Sequence, residues 1–172
     1  MTKFHLLLNF EFFYNLTMKN QKTGILFVCH GNICRSPMAE FIMKSLAEEA
    51  GISDRFTISS KATSTEELGN PIYPPAKAEL NRNGIRLEPH YASQVNRGDY
   101  NIYDYIIVMD SNNMRNIMRI MGTDPSGKIY KLLDFTDTPG DIADPWFSNN
   151  FSLTFRQIKK GCECLLERLV KE

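Results

Sequence analysis

Between Gly24 and Cys29 the chain reads GILFVC, an apolar run with no polar alternation. A strand with one face in water alternates apolar and polar residues, whereas a strand buried on both faces does not. This run demands cover on both sides, which a parallel sheet between two helical layers provides. Further strands are expected at RFTISS, at Tyr105 to Met109 in YDYIIVMD, and at Lys128 to Leu133 in KIYKLLD. Helical segments alternate with them. Ser36 and Pro37 form a helix-start signal, Met38, Phe41, Ile42 and Leu46 give an apolar face, and Gly51 is the stop. AKAELNRNG reads as a helix closed by Gly84, and SNNMRNIMRIMG as one ending at Gly122. In the last helix Phe155, Ile158, Cys162, Leu165 and Leu169 share one face. The alternation predicts a three-layer α/β domain with a parallel sheet.

Such sheets bind ligands at the carboxyl ends of their strands. Cys29 stands at one such end, and the loop after the fourth strand is expected to reach the same edge. Between Cys29 and the helix lies HGNICR, residues 30–35. A turn from strand into helix directs backbone N–H groups inward as an anion nest, and the helix adds its N-terminal dipole. Arg35 contributes a planar fork suited to two oxygens of a tetrahedral oxyanion. All three favour a thiolate over a thiol. The pattern describes a sulfur nucleophile beside a phosphate cradle. The cysteine loop is not a nucleotide P-loop, because residues 29–36 do not read G-x-x-x-x-G-K. Ser36 either donates to the thiolate or caps the helix, and both readings can hold. Asn32 either fixes the loop through its amide or occupies a left-handed position. Cys34 is either a small residue packed under the loop or a thiol able to trap oxidised Cys29.

Attack on a phosphate ester requires a proton for the leaving oxygen, and a carboxylic acid on a loop can supply it. DIADPWF offers Asp144, followed by Pro145, Trp146 and Phe147. Asp-Pro alone is a common turn starter. Beside the cysteine loop it reads as the acid, with Trp146 and Phe147 as a wall for a flat substrate ring.

The totals narrow the class. Lys plus Arg equals Asp plus Glu at 20 each, so the basic excess of a nucleic-acid binder is missing. No apolar run has the length of a membrane span, and no membrane association is expected. Four cysteines without paired C-x-x-C spacing fit neither a disulfide framework nor a common zinc site, and a reducing, cytoplasmic compartment is expected. The Phe- and Leu-rich start is a weak match to a secretory signal, with only Lys3 basic and Glu11 interrupting. Residues 1–20 are expected to lie outside a domain spanning 21–172, with Met18 a plausible alternative start.

VCHGNICRSPMAE, DPWF, TSTEELGNP, HYASQ and IIVMD occur in the order found in the low-molecular-weight protein tyrosine phosphatases, and the chain resembles that family over about residues 24–170. The resemblance implies a four-stranded parallel sheet in the order 2-1-3-4, flanked by helices. It implies that Cys29 attacks phosphorus while Asp144 protonates the leaving phenolate, and that water activated by Asp144 then hydrolyses a cysteinyl-phosphate. Arg35 and the amides of His30, Gly31, Asn32, Ile33, Cys34 and Arg35 would hold the phosphoryl oxygens. Asn32, Ser36 and His90 match positions that support the loop. No cofactor or metal is implied. The implied partner is a phosphotyrosine-bearing protein, with a tyrosine kinase among the candidates, acted on by a monomer or weak dimer. Two departures stand out. His30 replaces a frequent apolar residue and is expected to point away from the phosphate. Glu66 lies where several relatives place an aromatic residue at the pocket mouth, and with Glu67 it makes that rim acidic.

Other activities are known on the same scaffold. Thioredoxin-coupled arsenate reductases need two further reachable cysteines, and none occurs here between 34 and 162. Arginine phosphatases resemble this chain more closely but carry a threonine-like residue where Ile33 stands. A non-catalytic phosphate-binding module would be expected to lack the nucleophile or the acid.

Overall fold

The structure, a computed structural model, describes residues 22–171. Four parallel strands, β1 (Thr23–Cys29), β2 (Phe56–Ala62), β3 (Tyr105–Val108) and β4 (Ile129–Lys131), form one sheet in the order β2-β1-β3-β4. The helices are α1 (Arg35–Glu49), α2 (Pro74–Arg82), α3 (Asp99–Ile102), α4 (Ser111–Met121), α5 (Pro145–Ser148) and α6 (Phe151–Lys171). The expected class, strand order and flanking helices are all present.

β1 accounts for the layering. Ile25, Phe27 and Cys29 point to one face of the sheet, and Leu26 and Val28 to the other, as the two-residue period of a strand requires. The first face is covered by Phe41 and Ile42 of α1 and by Phe155, Ile158, Cys162 and Leu165 of α6. The second packs with Ile106 and Val108 of β3 against Ile117 and Met121 of α4. Because both faces are occupied, no polar residue is tolerated within the run.

Gly161 allows α6 to come close to the sheet. A Cβ there would lie 2.5 Å from Leu132 Cγ, inside contact distance. The missing side chain lets the helix backbone rest on the turn after β4.

Small shifts occur in the second strand, which runs on to Ala62, in the third, which stops at Val108, and in α2, which starts at Pro74; three further boundaries bear on the core and the site. The fourth strand ends at Lys131, because Leu132–Phe135 wind into a 3-10 turn in which the Asp134 carboxylate accepts the Lys131 N–H at 3.1 Å. This turn carries Leu132 and Leu133 into the core, which explains their apolar character without strand pairing. The first helix begins at Arg35 with Cys34 at its cap position, so Ser36 lies inside the helix and is not its cap. The Asp-Pro-Trp-Phe segment is not an open loop. Pro145 starts the short helix α5, with the Asp144 side chain accepting the Trp146 N–H at 3.0 Å. The residues expected to precede the domain, 1–20, lie outside the described residues.

Candidate active site

β1 delivers Cys29 to the carboxyl edge of the sheet, and the loop turns over its sulfur. Asn32 makes the reversal with φ of 58°, a left-handed conformation that a short polar side chain tolerates. Its N–H donates to Cys29 Sγ at 3.3 Å, and Ser36 Oγ lies 3.0 Å from the same sulfur. The Asn32 side chain is fully buried, and both its nitrogen and its oxygen are paired. It donates to Ser36 Oγ and Ser60 Oγ, both at 2.9 Å, and accepts the Ser93 N–H at 3.1 Å. His90 Nε2 donates to the Asn32 carbonyl at 3.0 Å. Asn32 thus both holds the loop through its amide and occupies the left-handed position, and Ser36 Oγ reaches the sulfur from within the helix.

Behind this network Ser60 Oγ donates to Glu40 Oε2 at 2.6 Å, and Lys44 Nζ donates to Glu40 Oε1 at 2.7 Å. Glu40 is buried, and its charge is met by Lys44 at the surface.

Arg35 lies below the loop, 3% exposed. Its Nη1 donates to Asp110 Oδ2 and its Nη2 to Asp144 Oδ2, each at 2.5 Å. Burial opposes the Arg35 charge, but Cys29, Asp144 and Asp110 outweigh it and hold the guanidinium above its ordinary range. Each carboxylate is fixed from its other side. Asp110 Oδ1 accepts the Asn113 N–H at the start of α4 at 2.6 Å, and Asp144 Oδ1 accepts the Trp146 N–H at the start of α5.

Above these groups opens a cavity of about 450 Å³. Cys29, His30, Gly31, Ile33, Cys34, Arg35, Glu66, Asp144, Trp146 and Phe147 all line it, while Asn32, Ser36 and His90 lie outside its wall. Ile33 is held by its carbonyl, which accepts the Tyr73 N–H at 2.8 Å. Trp146 leans on the Tyr73 ring with centroids 5.3 Å apart, and Phe147 is 87% exposed at the mouth. The His30 ring turns outward to the rim, where Nε2 lies 2.9 Å from Glu66 Oε2. Cys34 is buried under the loop, and burial, followed by the charges of Cys29 and Asp144, pushes its thiol up to about 12. Among the described residues no group of three His, Cys, Asp or Glu side chains is placed to hold a metal ion, and no helix is long and apolar enough to cross a membrane.

The family model described as low molecular weight phosphotyrosine protein phosphatase matches residues 24–172. The chain belongs to this family. It is 37% identical over 151 residues to the low molecular weight protein-tyrosine-phosphatase YfkJ of Bacillus subtilis, a match covering 87% of this chain and 97% of that one. It is 36% identical over 150 residues to the low molecular weight phosphotyrosine protein phosphatase of Rattus norvegicus, covering 84% and 94%. The crystal structure of YfkJ superposes with a TM-score of 0.85 at 36% identity, covering 88% of this chain and 96% of that one. The crystal structure of SP-PTP from Streptococcus pyogenes does so with a TM-score of 0.77 at 40% identity, covering 86% and 93%.

Within this low molecular weight phosphatase fold, sequence reasoning missed Asp110, Glu40, Ser60 and Tyr73. Asp110 stands at the carboxyl end of β3, where ligand-facing residues of such sheets gather, and that position was a usable signal. Glu40 lies one turn after Ser36 on a helix face otherwise apolar, and a carboxylate there calls for a partner. Ser60 and Tyr73 carried no local signal, because their roles exist only through contacts with the loop.

Proposed function

We propose that this chain is a protein-tyrosine-phosphatase acting through a cysteinyl-phosphate. The observation that carries the reading is the meeting of Cys29, Arg35 and Asp144 around one cavity. In the first step Cys29 Sγ attacks phosphorus. The S–P bond forms as the bond from phosphorus to the phenolic oxygen breaks, and Asp144 passes its proton to that oxygen. In the second step water attacks phosphorus and gives a proton to the Asp144 carboxylate. The S–P bond breaks, the sulfur leaves with its electron pair, and inorganic phosphate is released. The net reaction is ester plus water to phenol plus phosphate.

Arg35 and the amides of residues 30–35 hold the phosphoryl oxygens through both steps. Asp110 keeps Arg35 anchored while the phosphoryl group takes the Nη2 edge from Asp144, which frees that carboxyl group to carry its proton. Ser36 Oγ, 3.0 Å from the sulfur, stabilises it as nucleophile and as leaving group. Ile33 and Trp146 offer apolar contact to the ring. Shared burial of a few tens of Å² there contributes on the order of 1 kcal/mol, which favours an aryl ester over a guanidinium.

The arsenate reductase reading is not favoured by the remaining cysteines. Cys162 is fully buried in α6 against the Ala39 carbonyl, and burial raises its thiol. Its chemistry is that of a core residue.

The domain is read as residues 21–172, working as a monomer or weak dimer in the cytoplasm, where cysteines stay reduced. A tyrosine kinase is a candidate substrate by family analogy. The deciding experiment compares kcat/KM on phosphotyrosine and phosphoarginine peptides for the unmodified protein, Cys29→Ser and Ile33→Thr. Cys29→Ser should be inactive but still bind phosphate, and Ile33→Thr should narrow the preference for phosphotyrosine. A native preference for phosphoarginine would sink the substrate assignment, and substantial turnover by Cys29→Ser would sink the mechanism.

A further inference from the structure

The charges around the cavity are unevenly distributed. Among the described residues its lining carries the carboxylates Glu66, Glu67, Asp110 and Asp144 but only one arginine and no lysine. That arginine, Arg35, lies at the base and faces Asp110 and Asp144. The mouth is therefore acidic on the side of Glu66 and Glu67 and aromatic on the side of Trp146 and Phe147.

The two rim carboxylates are not equivalent. Glu66 Oε2 lies 2.9 Å from His30 Nε2, so its lone pairs are partly taken. Glu67 is held differently. Its Cγ lies 3.1 Å from where a Cβ on Gly31 would stand, so it packs directly over the phosphate loop, and a side chain at 31 would press its stem aside by a few tenths of an ångström. The neutral Asn70 amide donates to Glu67 Oε2 at 2.7 Å. Asn70 orients this carboxylate without cancelling its charge.

We propose that Glu67, with Glu66 beside it, selects phosphotyrosine sites that carry a lysine or arginine within two residues of the phosphotyrosine. This deepens the phosphatase reading and rests on it. An extended chain advances at most about 3.6 Å per residue, so only near neighbours of a seated phosphotyrosine pass over a carboxylate fixed against the loop. An acidic neighbour would meet like charge there. A basic neighbour meets an acceptor already held in place, so little side-chain freedom is lost on the enzyme's side.

The test uses synthetic phosphotyrosine peptides with lysine or aspartate on either side of the phosphotyrosine, at low salt and at high salt. The lysine peptides should have kcat/KM higher by about two- to five-fold, mainly through KM, as expected of exposed charge pairs. High salt should erase the difference, since screening acts within about 10 Å at 0.1 M. Glu67→Gln should remove most of the preference, Glu66→Gln less, and Glu67→Lys should reverse it. Equal rates on both peptide sets, or a preference that survives Glu67→Gln, overturns the proposal. Failure of the underlying reading looks different: no phosphotyrosine peptide of either kind would then be turned over.

Discussion

Asp110 and Asp144 are built alike. Each gives one carboxylate oxygen to a helix N-terminus and the other to a terminal nitrogen of Arg35. The guanidinium is thereby clamped between the ends of two helices that begin 34 residues apart, at Ser111 and Pro145. The two acids differ in what they are tied to. Asp110 stands at the end of a central strand, and Asp144 on a more exposed segment, with side chains 15% and 27% exposed. The first is suited to holding Arg35 and the second to meeting a substrate.

Asp110→Asn keeps an oxygen for the α4 cap but turns an amide toward Arg35. Losing one partner of a buried charge pair costs about 3–5 kcal/mol when the other charge is left uncompensated. Asp144 still faces Arg35, so a smaller loss of stability is expected, on the order of 1–2 kcal/mol, with kcat/KM reduced about ten-fold or more. Urea unfolding and steady-state rates on an aryl phosphate give both numbers. Unchanged kcat/KM would mean that Asp144 alone positions Arg35.

Asp144→Asn should lower kcat by about 10²–10⁴, the usual worth of a positioned acid. The deficit should shrink as the leaving phenol becomes more acidic, because such a phenolate departs without a proton. A series of substituted phenyl phosphates measures this slope. An equal deficit across the series would remove Asp144 from the role of acid.

Peroxide should inactivate the enzyme at Cys29, and Cys34 is the neighbouring thiol able to trap the sulfenic acid. Burial, followed by the charges of Cys29 and Asp144, raises the Cys34 thiol to about 12, and burial and Asp144 still hold it up once Cys29 is a neutral sulfenic acid, so its thiolate is scarce at neutral pH. While the thiol stays above the working pH, its thiolate fraction grows about ten-fold per pH unit, and trapping should accelerate accordingly. Mass spectrometry after a brief peroxide pulse should find a Cys29–Cys34 disulfide in higher yield at pH 9 than at pH 7, with over-oxidised Cys29 dominating at the lower pH. A disulfide yield independent of pH would show that Cys34 is not the attacking thiol.

Gly161→Ala places a methyl group against Leu132 Cγ, where 2.5 Å is available. Overpacking of this kind costs about 1–3 kcal/mol, which exceeds the roughly 1 kcal/mol that alanine gains over glycine within a helix. The melting temperature should fall by several degrees with little change in KM, since the contact lies in the core, away from the cavity. A rise in melting temperature would mean that Leu132 repacks freely.

GILFVCHGNICRSP was legible because its meaning is local. Strand, turn and helix follow one another along the chain, so the sulfur, the left-handed Asn32 and Arg35 are brought together by covalent proximity and short-range backbone preference. Asp144 was legible because a proline follows it and the cysteine loop had already named the chemistry. Asp110 was marked in the sequence only by its place at the end of a strand, and its partner was not. It reaches Arg35 across 75 positions, and only the pairing of β3 beside β1 puts its carboxylate at the same edge. The same holds for Ser60, which β2 brings to Asn32, and for Gly31, whose lack of a side chain gains its meaning only when Glu67 lies over it. Local order along the chain determined how Cys29, the turn over it and Arg35 are brought together. The order of the strands, set by which apolar faces pack together, decided which carboxylates and hydroxyls surround them.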